Sequence, residues 1–335
     1  MKTVLVTGAT GFVGSHALEA LMQVPGIKLV AAVRRRKSLL PDYAGEVRIG
    51  DLSNKEDIAR LLSGIDVVVH CAAWTSLYKN KNNSQRLFYE PTIEFIHAAI
   101  SSGVKHFINI SSTSAAAPLA SADPDSPGIA RSFWPHLTNV VRIEQYLQRM
   151  AGLHGMDVTN LRLGLFVGQR YALGLLPILL PRLKTHLVPW VAGGKTSLPL
   201  VDGRDIGQAI MKAAMSDQQK GYQSYNIVGP TVPTVREVIQ FLHDEFGYPL
   251  PHFSVPFGLA YPFAWLMEML DVIMPFEPLV TRSIIHILEE THVNNCKASQ
   301  VLGYEPRFYW QDAIRAQVEE MKQQQTAMSM ARPTS

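Results

Sequence analysis

The chain has 335 residues, of which 47% are hydrophobic and 18% are charged, and its formal net charge is +3. This length suits one large α/β domain with a smaller second lobe, and the small net charge argues against nucleic acid as a partner. Because the two cysteines, Cys71 and Cys296, form neither a disulfide framework nor a metal-binding spacing, we expect a reducing, cytoplasmic compartment and no metal site.

Short apolar strands alternate with helices through the first half of the chain. Strands are predicted at residues 3–7, 29–34, 46–50, 66–70, 106–111 and 158–163. Helices are predicted at about residues 14–22, 91–102 and 138–153, and after Ser53, which forms the pattern of a capping box with Glu56. This alternation indicates βαβ units, so the predicted fold class is α/β, a Rossmann-type doubly wound parallel sheet.

Three glycines, Gly8, Gly11 and Gly14, follow the first predicted strand in the segment TGATGFVG and lead into a helix. Glycine lets the backbone approach a pyrophosphate closely, and the helix N-terminus offers free N–H groups and a positive dipole end to the anion. The spacing alone is weak evidence, but its position between the first strand and the first helix indicates a dinucleotide site. A plain tight turn is the alternative.

The ends of the second and third predicted strands carry residues that suit an adenosine group. Arg34 ends the second strand, and Arg35, Arg36 and Lys37 follow it. An arginine there accommodates a 2′-phosphate, whereas an acidic residue would bond the 2′-hydroxyl, so NADP is predicted in preference to NAD. Asp51, after the third strand, suits the adenine amino group. A solvated basic loop and a turn aspartate are the alternatives.

Beyond residue 165 the pattern loosens, and proline and glycine interrupt it. We predict an NAD(P)-binding domain over residues 1–165 with a return at about 200–230, a smaller, mainly substrate-binding α/β lobe over 166–320, and a disordered tail over 323–335.

Residues 255–274, VPFGLAYPFAWLMEMLDVIM, are a markedly apolar stretch. Pro262, Glu268 and Asp271 make a transmembrane helix unfavourable there. We interpret the stretch as a buried or groove-lining helix. A surface that contacts a membrane or an apolar substrate is the alternative, which would make the protein membrane-peripheral.

Taken together, these motifs resemble the extended short-chain dehydrogenase/reductase superfamily, the NAD-dependent epimerase/dehydratase group, with a C-terminal part like the 3β-hydroxysteroid dehydrogenase branch. The resemblance covers about residues 1–320 and includes the glycine turn, Asp51-Leu52, His70-Cys71-Ala72-Ala73, Ile110-Ser111-Ser112-Thr113, Leu161-Arg162 and Leu302-Gly303-Tyr304-Glu305-Pro306.

The resemblance implies positions for the cofactor and is consistent with a homodimer. It implies that Gly8, Thr10, Gly11, Phe12, Val13 and Gly14 line the pyrophosphate. It also implies an adenosine end and a nicotinamide end, formed respectively by Arg34, Arg35, Asp51 and Leu52, and by Ala72, Ala73 and the backbone from Leu163 to Phe166.

Enzymes of this superfamily carry a Ser or Thr, and a Tyr and Lys four residues apart, but no Tyr-x-x-x-Lys occurs in this chain. By resemblance Thr113 takes the hydroxyl position, with Ser112 beside it, and Glu144 takes the place of a glutamate eight residues after the Tyr. Counting back puts His136 at the Tyr position and Val140 at the Lys position.

We therefore predict Thr113, Ser112 and His136 as catalytic residues of an atypical site. Imidazole ordinarily titrates near neutral pH, so His136 has the chemistry of a proton donor. Two alternatives stay open: His136 packs at or caps the start of a helix, or Tyr78 and Lys79 reach the pocket from the loop after the fourth strand.

The loops expected to face the nicotinamide are mostly apolar and aromatic, which suits a small apolar substrate such as a lipid, sterol, terpenoid or polyketide-like carbonyl. The sequence thus predicts an NADP-dependent reductase or dehydrogenase that acts on a carbonyl or alcohol. The alternative is an NAD(P)-binding protein without turnover that serves in regulation, sensing or assembly.

Overall fold

The computed structural model describes residues 1–35, 39–116, 118, 120–153, 155–218, 220–271, 278 and 280–330. Two of the predicted basic residues, Arg36 and Lys37, lie outside this range. The strands are β1 (Lys2–Thr7), β2 (Ile27–Val33), β3 (Glu46–Ile49), β4 (Val67–His70), β5 (His106–Ser112), β6 (Asp157–Leu163), β7 (Leu165–Val167), β8 (Trp190–Val191), β9 (Leu200–Asp202), β10 (Tyr222–Ile227) and β11 (Ser254–Val255).

A seven-stranded parallel sheet is the centre of the fold, in the order β10-β6-β5-β4-β1-β2-β3. Alternate residues of β1 point to opposite faces: Val4 and Val6 enter one apolar core, and Leu5 enters the other. Both faces are covered, which explains why β1 and β4 are almost continuously apolar. The predicted doubly wound Rossmann-type fold is confirmed.

The helices are α1 (Phe12–Met22), α2 (Lys55–Leu62), α3 (Lys81–Ser84), α4 (Glu90–Ser101), α5 (Pro135–Met150), α6 (Leu175–Leu183), α7 (Gly203–Met215), α8 (Val235–Phe246), α9 (Phe257–Leu270), α10 (Arg282–Ile287), α11 (Cys296–Leu302) and α12 (Trp310–Met330). Helices α1, α7 and α11 cover one face of the sheet, and α2, α4 and α5 cover the other. A π-helical turn, Gln85–Tyr89, joins α3 to α4.

The chain after β6 builds a second core beside the sheet. Two small parallel pairs, β7 with β9 and β8 with β11, lie there with helices α6, α8 and α12. The chain returns to the main sheet at β10, which pairs with β6. The division into two domains stays a prediction.

Three local expectations differ from the structure. Asn54, not Ser53, caps α2: its side chain accepts from the N–H groups of Glu56 and Asp57, because the Ser53 hydroxyl donates to Asp51 instead. Helix α5 begins at Pro135, where the ring suits the first helical turn.

The third difference is the expected disordered tail. Helix α12 continues through Met330, in a stretch rich in the good helix formers Gln, Ala and Met. Residues 331–335 lie outside the described part of the chain. Within the described part, no helix combines the length and the hydropathy that crossing a bilayer requires.

Candidate active site

The glycine turn after β1 is packed so closely that side chains are excluded from it. Gly8 has a φ of +60°, and a Cβ atom on it would lie 2.7 Å from the backbone nitrogen of Ala72. A Cβ on Gly14 would lie 2.2 Å from the carbonyl oxygen of Gly8, which accepts a 2.9 Å hydrogen bond from the N–H of Gly11. Glycine is therefore required by contacts within the turn itself.

The first turn of α1 is open to an anion. Gly11 is the N-cap residue, it has no side chain to cap the helix, and the first turn holds no acidic residue. Thr10 is exposed, while the Val13 side chain is buried in the core. The backbone N–H groups at this end and the positive end of the helix dipole therefore fit the diphosphate of a dinucleotide.

A buried relay of hydrogen bonds holds the end of β4 beside the glycine turn. The Thr7 hydroxyl accepts from the N–H of Ala72 at 3.3 Å and bonds Nδ1 of His70 at 3.0 Å. The other ring nitrogen of His70 lies 3.4 Å from the Thr92 hydroxyl. Burial lowers the pKa of His70 to about 4, so the ring is neutral and one nitrogen accepts while the other donates.

This relay places Ala72, which is half-buried, next to Gly8, and Ala73, which follows it, is exposed. Sequence reasoning gave the two alanines a role, included Thr7 and His70 in motifs without giving them one, and missed Thr92. The available signal was that Thr7 and His70 are polar residues at the ends of apolar strands that meet at one sheet edge.

The adenosine side of the candidate site lies after β2 and β3. Arg34 and Arg35 are exposed there. The Asp51 carboxylate accepts from the backbone N–H and the hydroxyl of Ser53 at 2.9 and 2.7 Å. These bonds, and to a smaller extent the charge of Arg34, lower the pKa of Asp51. Asp51 thus has a turn-forming role in this structure, and Arg34 lies within its electrostatic range.

Leu52 and Leu163 differ from the other proposed cofactor contacts because both pack in the apolar cores. Leu52 is a partly buried neighbour of the core under α2, and Leu163 is fully buried on the other face. The ring of Phe166 stacks on Phe12 with centroids 5.6 Å apart, so the structure places it at the glycine turn.

The predicted hydroxyl residues end β5. Ser112 caps the 3-10 turn Thr113–Ala115, because its hydroxyl accepts from the N–H of Ser114 at 3.2 Å. Thr113 is buried, and its hydroxyl has no hydrogen-bond partner among the described residues. Helix α5 covers this turn with Leu137 and Val141, which pack on Ala115.

His136 lies on a different side of α5 from Leu137 and Val141. Its ring contacts Phe88 of the π-helical turn with centroids 4.8 Å apart, and Val140 lies in the same apolar core as Phe88. Nδ1 of His136 is buried and has no hydrogen-bond partner within the described residues. Burial lowers the pKa of His136 to about 4, so the expectation that it titrates near neutral pH is wrong.

Glu144, from which the position of His136 was counted, anchors α5 to the sheet. The Glu144 carboxylate accepts from Arg162 at 2.9 and 2.7 Å and from the Ser111 hydroxyl at 2.6 Å, all buried. These bonds fix α5 on strands β5 and β6. Among the described residues, however, no hydrogen bond links His136 with Thr113, so the two are not joined as a dyad.

Tyr78 and Lys79, the alternative pair, are bonded to the end of α9. The Tyr78 hydroxyl lies 3.2 Å from the carbonyl oxygen of Glu268 and 3.3 Å from the Asp271 carboxylate, and Lys79 forms an ion pair with Asp271. Both side chains are therefore engaged in holding the loop after β4 against the second lobe.

Further hydrogen bonds connect the segments that surround Thr113. The indole N–H of Trp134 donates to the carbonyl of Ser76 at 2.9 Å, and the Ser283 hydroxyl donates to the carbonyl of Leu77. Nε2 of His286, from α10, donates to the carbonyl of Ser114 at 3.1 Å. Sequence reasoning missed Ser283 and His286, since nothing in their local sequence indicates a partner about 170 to 200 residues away.

Comparison with known proteins adds a family and full-length relatives. The model of the NAD dependent epimerase/dehydratase family matches residues 4–228. The sterol-4-alpha-carboxylate 3-dehydrogenase, decarboxylating, of Dictyostelium discoideum is 24% identical over 91% of this chain and 96% of its own length. The 4-hydroxy-2-methyl-3-oxo-4-farnesyl-3,4-dihydroquinoline-1-oxide ketoreductase of Stigmatella aurantiaca is 24% identical over 94% and 95%.

Similar folds occur among solved structures. That of gox2253 superposes with a TM-score of 0.77 at 24% identity, covering 97% of this chain and 99% of the other. MoeE5 in complex with UDP-glucuronic acid and NAD gives a TM-score of 0.70 at 22% identity, with 96% and 99% covered.

Proposed function

Because this chain belongs to the NAD-dependent epimerase/dehydratase family, we propose that it uses NADP(H) to interconvert a carbonyl and an alcohol on a small, mainly apolar substrate. It is an NAD(P)-dependent oxidoreductase of the extended short-chain dehydrogenase/reductase type. The preference for NADP, the substrate class and the roles of individual residues are the proposal.

The observation that carries the proposal is the glycine turn. Its backbone is in contact with Ala72, its helix has no capping side chain, and these features fit a diphosphate. In this proposal the backbone of Gly8 to Gly14 holds the diphosphate, with Thr10 at its exposed side. A bound nicotinamide would supply or accept a hydride. The chain's own residues bind and orient the cofactor and the substrate, and they transfer the proton.

Arg34 and Arg35 support NADP over NAD. They are exposed where β2 ends, and the neighbouring carboxylate of Asp51 is occupied by Ser53. A guanidinium forms strong, charge-assisted hydrogen bonds with a phosphate, whereas the free ribose of NAD offers it only hydroxyl groups. We assign Arg34 to the 2′-phosphate.

Thr113 is the proposed ligand of the substrate oxygen. It is buried at the carboxyl end of β5, where open parallel sheets bind their ligands, and its hydroxyl is free of described partners. Ser112 is a positioning residue, because it caps the turn that carries Thr113.

His136 is the proposed second polar contact. A substrate oxygen would give the buried Nδ1 the partner that it lacks. With a pKa of about 4 the ring is neutral at pH 7, so it acts as a hydrogen-bonding imidazole and not as a standing imidazolium. In carbonyl reduction a protonated His136 ring would donate its proton to the substrate oxygen and return to neutral imidazole, and the protonated fraction increases as the pH falls.

An apolar substrate fits the residues around the 3-10 turn. Ala115, Trp134, Leu137 and Val141 form a buried cluster there, and Phe133 packs against it. Two full-length relatives are named for reactions on a sterol carboxylate and a farnesylated quinoline oxide, both largely hydrocarbon. We propose the same class of substrate for this chain.

A non-catalytic role in sensing or assembly is the competing proposal. It is favoured by Val140, a buried aliphatic residue at the position where the resemblance implies a lysine. Valine neither pairs with a ribose hydroxyl nor lowers a neighbouring pKa.

Calorimetric titration of the full chain with NADPH and NADH tests the cofactor proposal, and NADPH consumption with a panel of apolar ketones tests the reaction. We expect NADPH to bind at least about tenfold more tightly than NADH. Equal affinities would remove the NADP assignment. Tight binding without turnover on sterol, terpenoid or polyketide ketones would favour the competing proposal.

A further inference from the structure

Helix α9 buries small residues and exposes large apolar ones. Its inner side carries Ala260 and Ala264, which pack in a cluster with Ile285 and Val191. Its outward side chains, which are between 38% and 60% exposed and which we call the apolar face, are Leu259, Phe263, Trp265, Leu266, Met269 and Leu270. This arrangement is the reverse of a helix on a water-exposed protein surface. The expectation of a buried helix therefore holds only for its inner side.

The charged groups of this segment are turned away from the apolar face. Glu268 is buried and pairs with Arg282, from which it accepts bonds at 2.7 and 2.8 Å. Asp271 pairs with Lys79. The remaining exposed positions of α9 are Gly258 and Pro262, so the helix presents no polar side chain to solvent between residues 258 and 270.

The segments that flank β8 and β11, before α9 in the chain, also expose apolar and cationic side chains. Leu187 and Phe253 are 63% and 48% exposed and lie next to the β8–β11 pair. Residues 172–201 contain three cationic residues, Arg182, Lys184 and Lys195, and no aspartate or glutamate. Lys184 and Lys195 are exposed, and we call these two the cationic margin.

We infer that the apolar face docks on a lipid bilayer that contains anionic lipids, with α9 parallel to the membrane surface. The helix has 14 residues, which is too short to span a hydrocarbon core that needs about 20. A helix that inserts only its apolar side among headgroups and upper acyl chains, with Trp265 at that depth, fits this length. The cationic margin then meets anionic headgroups.

A second copy of this chain suits the surface less well. Half-exposed side chains of this size present on the order of 600 Å², at the lower limit of the roughly 600–1,000 Å² per partner of a stable interface. In a twofold dimer the same surface of each copy would also face that of the other copy. Lys184 and Lys195 would then meet a segment that carries no carboxylate.

Vesicle sedimentation of the full chain tests the inference without any need for turnover. We expect binding to vesicles of phosphatidylcholine with phosphatidylglycerol, and weaker binding to phosphatidylcholine alone. Phe263→Glu should weaken binding about tenfold or more, because it places a charge among acyl chains. Leu153→Glu is the matched control: Leu153 is 67% exposed after α5, outside the apolar face, and its variant should bind as the parent does.

The cationic margin is tested separately. Lys184→Glu and Lys195→Glu should each reduce the preference for anionic vesicles by about fivefold or more. Unchanged binding in both variants would overturn the requirement for anionic lipid.

The fluorescence of Trp265 reports how deeply the apolar face enters the bilayer. Trp265 is 50% exposed, whereas Trp74 is exposed to a smaller extent and the other three tryptophans are buried. We expect brominated lipids to quench tryptophan emission in the parent chain, and Trp265→Phe to bind equally while losing most of that quenching.

Three results would overturn the docking inference: no binding to either vesicle, equal loss in Phe263→Glu and Leu153→Glu, or a dimer in solution that Phe263→Glu dissociates. The last result would assign the face to a second copy.

Discussion

The glycine turn and the Thr113 turn lie at the same edge of the sheet but are stabilised in different ways. Around Gly8, backbone contacts exclude side chains, and the polar groups of Thr7, His70 and Ala72 bond one another. By contrast, the Thr113 hydroxyl has no hydrogen-bond partner among the described residues, and neither has the buried Nδ1 of His136, which lies on another side of α5. The glycine turn is held together without a ligand and leaves only the first N–H groups of α1 open, whereas Thr113 and His136 carry side-chain polar groups that have no partner within the described residues.

The largest expected effect comes from a substitution in the glycine turn. Gly8→Ala places a Cβ against Ala72 in a backbone conformation that side chains rarely adopt, and we expect NADPH affinity to fall at least about 100-fold. Gly26→Ala is the matched control, because Gly26 also has a positive φ but nothing lies within 4 Å of the added Cβ. Calorimetry on both folded variants measures the difference. Equal loss in the two would show that strain alone, and not the contact with Ala72, matters.

The second prediction concerns the Thr113 turn. Thr113→Val removes the free hydroxyl at nearly constant volume, and we expect kcat to fall about 100-fold while the NADPH Kd stays within about twofold. Ser112→Ala, which removes only the cap of the same turn, should cost about 1 kcal/mol of stability with a much smaller change in kcat. A Thr113→Val variant with parental turnover would exclude Thr113 from contact with the substrate oxygen.

Arg34 sharpens the comparison at the adenosine end. Arg34→Ala should weaken NADPH binding about tenfold and leave NADH binding unchanged, because only NADPH carries the 2′-phosphate. Arg35→Ala gives the neighbouring control and should change NADPH binding less. Parallel changes for both cofactors would assign Arg34 to a general electrostatic effect.

The smallest expected effect is a gain in stability. His136→Phe removes a buried nitrogen without a partner, so we expect the free energy of unfolding to rise by about 1 kcal/mol while turnover falls. His106→Phe is the matched control, because His106 is also buried but bonds the Thr159 hydroxyl at 2.8 Å. That variant should be destabilised by about 1–3 kcal/mol, since the buried hydrogen bond between His106 and Thr159 is lost. Destabilisation by His136→Phe would contradict this account.

The same histidine predicts a pH dependence. The folded pKa of His136 is about 4, below its unfolded value of about 6.5, so the unfolded chain binds the proton first. The resulting stability is present above about pH 6.5 and is lost as the pH falls toward 4. Denaturant titrations across this interval should show a shallower loss for His136→Phe than for the parent chain, and identical slopes would contradict the burial of the ring.

Local chemistry explains which parts were predictable from sequence. The sheet and the glycine turn depend on strand periodicity and on residues adjacent in the chain, so both follow from the sequence. Ser53 was misassigned as a cap because its competing bond to Asp51 is a matter of three-dimensional geometry. The lowered pKa of His136 depends on Phe88 and the core around it, and no local pattern indicates that burial.

The apolar face of α9 shows the same limit from the other direction. The stretch was recognised as apolar, but which side faces the protein depends on Val191 and Ile285, from distant parts of the chain. Periodicity predicts that large apolar residues point inward, and here Ala260 and Ala264 do so instead.

The bonds that Ser283 and His286 make to Leu77 and Ser114 have a consequence for synthesis on the ribosome. The central sheet has all its strands once Ile227 has emerged, whereas these two residues follow more than fifty residues later. At a translation speed of about 5–20 residues per second, a nascent chain spends several seconds with all strands of the sheet present but without Ser283 and His286. During that interval the apolar cluster of Ala115, Trp134, Leu137 and Val141 lacks the contact with Ile287 of α10, and we expect chaperones to bind it.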